Sequence, residues 1–486
     1  MSEKQEHVDV LEEKNIGQPA EFEFDPDSPA IRTLKRKLDY RLVPIWSLLY
    51  LFSFLDRSNI GNARIAGLEH DLQLTGTQFN MTLTIFFFGY ILFEVPSNIM
   101  LQKIGPKLWI TIIMVVWGTI MMSMAAVKDY GGLLAARFFL GLAEAGLVPG
   151  VIFMVSTFYT RSELATRNGL WFSMATFSGA FGGILAYGIS KLHGKGGLLG
   201  WQWIFIIEGA ATLVVCLLAW FGLADSPEKA MFLTPEERAL AAERLRVDAG
   251  PATETEFSWA QARLAFTDWQ TYAYIVGYIC GSIPLFAMSL FIPSIVLQFK
   301  YNVITTQIMT APAFTAATIT TIICSMSSDR FRERGLHCFV PSLVGCIGFI
   351  LLIVTKDSSV AARYVSLTVT CCGVFSSAPA MFAWFSGNIG GHSKRAVAIG
   401  LIVSIGCVGG AIGSQIYRPG DATGGYVRGH TISACLCGVA ATMSLVSKTV
   451  YILINKRRAN LTPEEYARAC QGNDLLDKHP DFRYQT

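Results

Sequence analysis

The sequence predicts an all-α membrane protein with twelve transmembrane helices arranged as two six-helix bundles. Of its 486 residues, 52% are hydrophobic and 15% are charged, whereas soluble domains carry about 25% charged residues. Apolar stretches of about 20 residues, the length that a helix needs to cross the hydrocarbon core, recur along the chain. One long polar segment divides these stretches into two sets of six.

The first set follows a polar, acidic N-terminal tail, which we assign to residues 1–40. The start of this tail has no apolar h-region, so we expect no cleaved signal peptide. We assign the N-terminal bundle to residues 41–223, with spans predicted at 43–60, 79–100, 108–127, 133–158, 169–189 and 203–223.

The second set begins after a polar linker, assigned to residues 224–268. Its TPEERALAAERLR stretch predicts a helix with a charged, solvated face. The C-terminal bundle is assigned to residues 269–455 and a second tail to 456–486, with spans predicted at 272–296, 305–326, 339–354, 364–385, 397–416 and 430–453.

Lysine and arginine residues predict the orientation, because they are enriched in cytoplasmic loops. They precede the first span, follow the last, and occupy every second loop: Arg32, Lys35, Arg36, Lys37, Arg41, Lys103, Lys107, Arg161, Arg167, Arg330, Arg332, Arg334, Lys394, Arg395, Lys456, Arg457 and Arg458. Both termini and the linker are therefore predicted to be cytoplasmic. We expect the plasma membrane as the location, with the vacuolar membrane as the alternative.

A short motif occurs after each set of spans, as FLTPEER at 232–238 and as NLTPEEY at 460–466. Each copy predicts a helix start, with Thr as N-cap, Pro in the first turn and Glu closing a capping box. The motif is common enough to recur by chance. Its equivalent placement after each half favours a duplication instead, and two six-helix halves are a known transporter plan with substrate bound between them.

Charged residues interrupt the apolar runs of the first bundle. Asp56 and Arg57 lie within the first span, and Arg137 and Glu144 lie seven residues apart, on one face of the fourth. They could form ion pairs that fix helix packing. A functional role is favoured, because buried charge is costly in a membrane and usually faces a cavity. An arginine can clamp a carboxylate, and a desolvated acid can take up and release a proton.

Four further positions are less specific. Glu94 belongs to a gate or to a solvated helix end, and Tyr90, one turn earlier, lines a cavity or packs in the core. Trp384 and Asn388 are four residues apart on one helical face, suited to stacking on and hydrogen bonding a ligand. An isolated Trp of this kind also packs commonly against lipid or a neighbouring helix.

Several other classes of site are not predicted. The eleven cysteines fall mostly within spans and lack metal-ligand spacing. No basic patch with interleaved aromatic residues indicates nucleic-acid binding, and no nucleophile–base constellation indicates an enzyme. We therefore expect neither a cofactor, a metal site, a nucleic-acid partner nor an enzymatic activity.

A set of motifs carries a resemblance that covers residues 51–458: LDRSNIGNA, GYILFEVPSN, RFFLGLAEAGLVPG, GWQWIFIIEG with its sequel LADSPEKAMFLTPEER, and GHSKRAVAIG followed by GSQIYRPGDA. Through them the chain resembles the major facilitator superfamily. Within it, the resemblance is to the anion:cation symporter branch, most closely the fungal allantoate and nicotinate permease-like transporters. The resemblance implies two bundles that rock about a central site and a proton-coupled uptake of organic anions.

The resemblance also implies roles for individual residues. Asp56 and Glu144 match the usual protonation sites of related anion symporters. Arg57 matches the arginine that binds the substrate anion, Arg137 is implied in pairing with the acids beside it, and Tyr90 maps onto the second-helix tyrosine. Trp384 and Asn388 are assigned to the substrate site more loosely.

The chain departs from the superfamily at the loop between the second and third spans. That loop usually carries an Asp-Arg-x-Gly signature, but here it is Gln-Lys-Ile-Gly at 102–105, without the acid. The second half keeps the signature as Asp329-Arg330. We assign Asp329, Arg330 and Glu94 to gating and expect the charge network of the gate to be asymmetric.

These features together predict a monomeric secondary transporter in the lipid bilayer. We expect proton-coupled symport of a small organic anion, such as nicotinate, allantoate or a related vitamin or metabolite, by alternating access. A proton-driven exporter of an acidic secondary metabolite would use the same buried charges. A nutrient sensor without transport is the alternative from another class, and the short C-terminal tail argues against it.

Overall fold

The computed structural model describes residues 28–249, 258–299, 303–417, 421, 424–470 and 476–486. Residues 1–27 of the predicted N-terminal tail, residues 250–257 of the linker and residues 471–475 of the C-terminal tail lie outside the described residues. All regular secondary structure in the described ranges is helical.

The helices follow the predicted order of spans. They are α1 (Pro29–Ile65), α2 (Leu68–Asp71), α3 (Gly76–Ile104), α4 (Pro106–Ser123), α5 (Tyr130–Glu144), α6 (Leu147–Phe158), α7 (Leu164–Ser190), α8 (Gly200–Gly222), α9 (Pro235–Ala249), α10 (Trp259–Thr267), α11 (Trp269–Leu297), α12 (Val303–Phe331), α13 (Gly335–Val354), α14 (Val360–Asn388), α15 (His392–Ile416), α16 (Val427–Ala459) and α17 (Pro463–Ala469). Short 3₁₀ turns occur at Met124–Ala126, Arg161–Glu163, Lys195–Gly197 and Leu476–Lys478.

Eleven candidate spans in the described chain are long and apolar enough to cross a membrane, with α5 and α6 counted as one. The predicted fifth span corresponds to α7, a helix of 27 residues that is not among the eleven. The linker contributes α9 and α10, which separate six spans from six. The predicted all-α polytopic fold is therefore confirmed.

The first helix begins well before the predicted first span. Ser28 accepts a hydrogen bond from the backbone of Ile31, and Pro29 occupies the first turn, where its missing N–H is not needed. Leu34 and Leu38 are buried on its inner face. The described part of the predicted N-terminal tail is thus a continuation of α1 that packs against the protein.

The fourth span is broken, whereas the sequence predicted one continuous helix at 133–158. Gly146 has a left-handed backbone (φ 92°), and a Cβ at this position would overlap the Ser97 side chain. The chain restarts as α6 with Pro149 in its first turn, where an N–H has no intrahelical partner. The break leaves Glu144 as the last residue of α5, beside the gap between the bundles.

Helices α3 and α5 cross at two glycines. A Cβ on Gly141 would overlap the Phe86 carbonyl oxygen, and one on Gly89 would overlap the Phe138 carbonyl oxygen. Small residues allow such close backbone approach between membrane helices. The crossing places Phe86 of α3 against Arg137 of α5, and Phe86 and Tyr90 also contact Arg57 of α1.

We expect Gly141→Ala to lower the thermal unfolding midpoint of the detergent-purified protein by several degrees. The added methyl group forces α3 and α5 apart, and overpacking of this kind costs about 1–3 kcal/mol. Gly188→Ala is the matched control, since a Cβ there meets nothing within 4 Å and alanine favours a helix. Equal midpoints for the two variants would contradict a tight α3–α5 crossing.

Two helix pairs make the most extensive contacts between the bundles in the described chain. Helix α3 packs on α15, where Gly410 leaves room for the Phe87 ring, and Asn98 donates a hydrogen bond to the carbonyl of Ala396 at 3.1 Å. Helix α7 packs on α12, where Thr176 and Thr318 are hydrogen-bonded at 2.5 Å. Any opening between the bundles therefore separates these pairs.

Each predicted capping box forms. Thr234 and Glu237 exchange reciprocal hydrogen bonds at the start of α9, and Thr462 and Glu465 do so at the start of α17. Helix α9 is less solvated than predicted. Its Arg244 is 2% exposed and donates to the Phe158 carbonyl oxygen at 3.0 Å, so α9 is anchored to the first bundle.

The chain ends in a segment, residues 476–486, that lies against both bundles. In the first half, Arg161 donates to the carbonyl oxygen of Arg483 at 3.1 Å. In the second half, the backbone N–H of Arg334 donates to the carbonyl oxygen of Thr486 at 2.8 Å. The start of α1, the linker and this segment share one side of the molecule, here called the terminal side, as the Lys37–Glu237 and Lys35–Glu163 ion pairs also show.

Candidate functional site

A small enclosed cavity lies between the bundles. Its volume is about 20 Å³, which is room for about one water molecule. Both halves line it, through Tyr50, Arg57, Tyr90, Val148 and Phe172 on one side and Tyr278, Ser282, Leu285, Phe286, Phe382, Val403 and Cys407 on the other. An organic anion needs more room, so binding one here requires the bundles to separate.

The charge in this cavity belongs to Arg57. Its Nη2 contacts Glu144 Oε1 at 2.6 Å, and the same oxygen accepts a hydrogen bond from the Ser53 hydroxyl at 2.5 Å. The guanidinium carbon also lies 5.2 Å from the ring centre of Phe86 and 5.1 Å from that of Tyr90. Arg57 is therefore held by one carboxylate and two aromatic faces, which orient it toward the space between the bundles.

Arg137 lies behind the same aromatic ring. Its guanidinium carbon is 5.7 Å from the ring centre of Phe86, the ring that Arg57 also contacts. Within the described residues, Nε and Nη1 of Arg137, Nε of Arg57 and Oε2 of Glu144 have no hydrogen-bond partner. Buried polar atoms are usually paired, so these atoms leave the site with unused hydrogen-bonding capacity.

Asp56 has a different environment from its neighbour Arg57. Its Oδ2 accepts hydrogen bonds from Trp117 Nε1 at 2.7 Å and from the Thr212 hydroxyl at 2.8 Å. Successive residues of a helix point about 100° apart, so Asp56 faces the interior of the first bundle, between α1, α4 and α8. The two charges that adjoin in sequence are separated in space.

The second-span residues are both buried. Tyr90 is 1% exposed and lines the cavity, whereas Glu94, one turn further along α3, is fully buried. The alternative of a solvated helix end for Glu94 is therefore wrong. Glu94 is a buried acid beside the contact between α3 and α15.

Trp384 and Asn388 share a face, as their spacing predicted, but that face contacts the C-terminal segment. Trp384 Nε1 and Asn388 Nδ2 both donate to the carbonyl oxygen of Gln485, at 2.9 and 3.0 Å. The Asn388 Oδ1 accepts from the backbone N–H of Gln485 at 2.7 Å. The structure thus does not bring this pair into the cavity with Arg57.

On the terminal side, a carboxylate from the second half is hydrogen-bonded to the first half. Asp329 accepts hydrogen bonds from the backbone N–H groups of Ala165 and Thr166, at 3.1 and 2.7 Å, at the start of α7. It pairs with Arg334 at 2.6 Å. Arg330, which the sequence analysis assigns to gating, is exposed. The cation that pairs with Asp329 is thus Arg334, and the gating role assigned to Asp329 and Arg330 stays a prediction.

Most of the chain matches a known protein family. Residues 46–414 match the family model described as Major Facilitator Superfamily. The chain belongs to the major facilitator superfamily. It is therefore a membrane transporter, and the resemblance inferred from its motifs is confirmed.

Fungal members of the superfamily are similar over nearly the whole chain. The MFS transporter prlL of Fungal sp. (strain NRRL 50135) is 35% identical, with 95% of each chain covered. The MFS-type transporter cnsO of Penicillium expansum is 36% identical over 93% of this chain and 90% of its own length. The high-affinity nicotinic acid transporter of Saccharomyces cerevisiae is 32% identical over 94% of this chain and 86% of its own length.

Solved superfamily structures have the same fold. The proton:xylose symporter XylE bound to 6-bromo-6-deoxy-D-glucose aligns with a TM-score of 0.63 at 14% identity, covering 83% of this chain and 94% of that one. The human organic anion transporter MFSD10 (TETRAN) aligns with a TM-score of 0.59 at 12% identity, covering 84% and 99%. These relatives are transporters, in agreement with the prediction that the chain is not an enzyme.

An acid from another element lies against the loop that lacks the acid of the superfamily signature. Asp225, just after α8, accepts a hydrogen bond from the backbone N–H of Lys107 at 3.0 Å and lies against Gly105. The contact of Asp225 with this loop was not predicted, because the two are about 120 positions apart in the sequence. The motif LADSPEK, which contains Asp225, was the signal that could have indicated it. Asp225 bonds within the first half, whereas Asp329 bonds from the second half to the first, so the asymmetric gate stays a prediction.

Glu333, outside the spans on the terminal side, is firmly ionised. Burial disfavours its charge, but hydrogen bonds from His337, from Lys448 at 2.8 Å and from the backbone of Leu336 outweigh burial and lower its pKa to about 2. It therefore keeps its charge throughout the physiological pH range. An acid that stays ionised in this way cannot carry a transported proton.

A fourth acid of the first bundle was also missed. Glu208 on α8 is 2% exposed, within the apolar stretch GWQWIFIIEG. With Asp56, Glu94 and Glu144 it makes four buried carboxyl groups in the described spans of this bundle, against the guanidinium groups of Arg57 and Arg137. The signal for Glu208 was the same as for Asp56, a single acid inside a hydrophobic run.

Proposed function

We propose that this transporter carries a small organic anion together with protons, by alternating access, in the plasma membrane with both termini cytoplasmic. The contact between Arg57 and Glu144, at 2.6 Å beside the central cavity, carries this proposal. An arginine held by an internal carboxylate can exchange that partner for the carboxylate of a substrate.

Proton binding at Glu144 couples the uptake of a proton to the binding of the anion. While Glu144 is ionised it occupies Arg57, and a substrate carboxylate has to compete with it. Once Glu144 is protonated, the attraction that held Arg57 is lost, and the guanidinium is available to the substrate. Release of the proton on the other side restores the Arg57–Glu144 pair and expels the anion. Proton and anion therefore load and leave together.

The balance of buried charge supports proton uptake. Four carboxyl groups accompany two guanidinium groups in the described spans of the first bundle. Uncompensated charge in a dry interior is costly, so this cluster is neutral only when two of its acids carry protons. A cluster of this composition favours taking up protons as the site closes.

The cavity lining favours a planar anion. Six of its side chains are aromatic: Tyr50, Tyr90, Phe172, Tyr278, Phe286 and Phe382. Aromatic faces stack on rings and bury them well, and Arg57 supplies the cation among the described side chains that line the cavity. A pyridine carboxylate such as nicotinate has this combination, and a relative 32% identical to this chain is a high-affinity nicotinic acid transporter. Other small carboxylates, including allantoate, remain within the proposed class.

Uptake by proteoliposomes tests the proposal. We expect an acidic exterior to drive accumulation of one of a panel of labelled anions (nicotinate, allantoate, pantothenate or dicarboxylates), and a protonophore to abolish it. Protein-free liposomes under the same gradient control for passive entry of the neutral acid. Movement only outward, in exchange for external protons, would indicate an exporter instead. Absence of transport in both directions, with substrate still bound, would indicate a sensor.

A further inference from the structure

Glu208 is a buried acid to which the proposed anion site gives no role. It is 2% exposed, and neither carboxyl oxygen has a hydrogen-bond partner within the described chain. A packing role would be better served by a hydrophobic residue, because a polar group buried without partners costs free energy. Its retention inside an apolar helix calls for a ligand that binds carboxyl oxygens, and a proton is the smallest such ligand.

The surroundings of Glu208 place it beside Asp56. Thr212, one helical turn further along α8, donates its hydroxyl to Asp56 Oδ2 at 2.8 Å. Glu208 and Thr212 are four residues apart and therefore lie on the same face of α8, the face directed toward Asp56. Both acids also lie at similar depth, about 12–14 Å along their helices from the end away from the terminal side, at a rise of 1.5 Å per residue. One oxygen of Asp56, Oδ1, has no partner among the described residues.

The other elements packed around Glu208 are apolar where they meet this stretch of α8. Helix α4 presents Met122 and Gly118, which fit tightly against Gly209, together with Trp117, which bonds Asp56. Helix α7 presents Ala186 and Ile189 against Ile204. Asp56 on α1 is thus the charged group that faces Glu208 from the described parts of its neighbours.

We propose that Asp56 and Glu208 form a two-carboxyl site that holds one proton in common, behind the anion site. Two carboxylates close together in a dry environment cannot both be ionised, so they bind protons as a pair rather than individually. The proton moves between an Asp56 oxygen and a Glu208 oxygen without changing the charge of the pair. Because Asp56 adjoins Arg57 on α1, the state of this pair influences the anion site. This inference rests on the proposed proton coupling.

The pH dependence of uptake tests the pair. In Glu208→Gln, Asp56 loses a like-charged neighbour and holds its proton more weakly, so half-maximal uptake should move to lower pH by about one unit. In Thr212→Val, ionised Asp56 loses a hydrogen bond, so the midpoint should move to higher pH. Glu208→Asp keeps a titratable group and should restore much of the wild-type profile. Glu236→Gln, at an exposed position of α9, is the matched control.

A second measurement distinguishes proton binding by Asp56 and Glu208 from an indirect effect of the substitution on the structure. Infrared difference spectra between acidic and alkaline pH should show a carboxylic acid C=O band that Glu208→Gln shifts or removes. A wild-type pH midpoint in Glu208→Gln, with the band unchanged, would overturn the pair while leaving symport intact. A wild type that shows no proton-driven uptake would overturn the proposed function, and a coupling role for the pair with it.

Discussion

Arg57→Ala is expected to abolish substrate binding and uptake. The guanidinium is the cation of the cavity lining, and truncating one partner of a buried charge pair costs about 2–5 kcal/mol, a loss of about 30-fold or more in affinity. The measurement is binding of labelled substrate to the purified protein by scintillation proximity, beside uptake in proteoliposomes. Arg57→Lys keeps the charge without the planar fork and should bind weakly.

Controls for this variant address folding. Arg57→Ala leaves Glu144 buried without its cation, so the double variant with Glu144→Gln removes both charges and should recover thermal stability without recovering binding. Arg246→Ala, which removes an exposed surface ion pair with Glu243, should leave binding unchanged. Normal substrate affinity in stable Arg57→Ala protein would show that the anion binds elsewhere.

Glu144→Gln is expected to separate substrate movement from the proton gradient. Glutamine has nearly the same shape and can still accept the hydrogen bonds of Ser53 and Arg57, but it cannot titrate. Exchange of labelled for unlabelled substrate should continue, with an affinity that depends less on pH than that of the wild type. With one coupled proton, a gradient of one pH unit sustains about tenfold accumulation, and this ratio should fall to about one.

The decisive comparison uses one preparation for both assays. Exchange reports whether the bundles still alternate, and gradient-driven uptake reports whether a proton accompanies the substrate. Glu464→Gln, at an exposed position on α17, is the matched control and should keep both activities. Accumulation in Glu144→Gln at the wild-type level would assign the coupling proton to another of the buried acids.

The fold was largely predictable because its signal is local. A stretch of about 20 apolar residues identifies a span wherever it packs, and each predicted capping box needed only a four-residue motif. The helix break before Gly146 was harder to predict from the sequence. A hydrophobic run looks the same with or without a left-handed residue, and it is the approach of Ser97, about fifty positions away, that demands glycine there.

The site was predictable in its residue types and less so in its partners. Asp56, Arg57, Arg137 and Glu144 are conspicuous because charge is rare in a span. Their sequence spacing did not show that Arg57 would face the cavity with Glu144 while Asp56 faced Thr212 inside the bundle. Such partners come from other helices, and hydrophobic periodicity carries no information about which helices adjoin.

The pair Trp384 and Asn388 illustrates the same limit. Their four-residue spacing correctly placed both side chains on one face, so that both donate to a single carbonyl oxygen. What lies opposite that face is a stretch of the chain about a hundred residues later. A helical pattern predicts a direction, and the occupant of that direction depends on the whole fold.

The C-terminal segment is held through its backbone at several positions and through the buried side chain of Asp477, which pairs with Lys394 at 2.5 Å. The carbonyl oxygens of Arg483, Gln485 and Thr486 accept from Arg161, from Trp384 with Asn388, and from the N–H of Arg334. A peptide group is the same whichever side chain it carries, so these three backbone contacts tolerate substitution in the segment, whereas the buried carboxylate of Asp477 does not. Among homologues, we therefore expect more sequence variation at Arg483, Gln485 and Thr486 than at the residues of the helices and loops that bind their backbone.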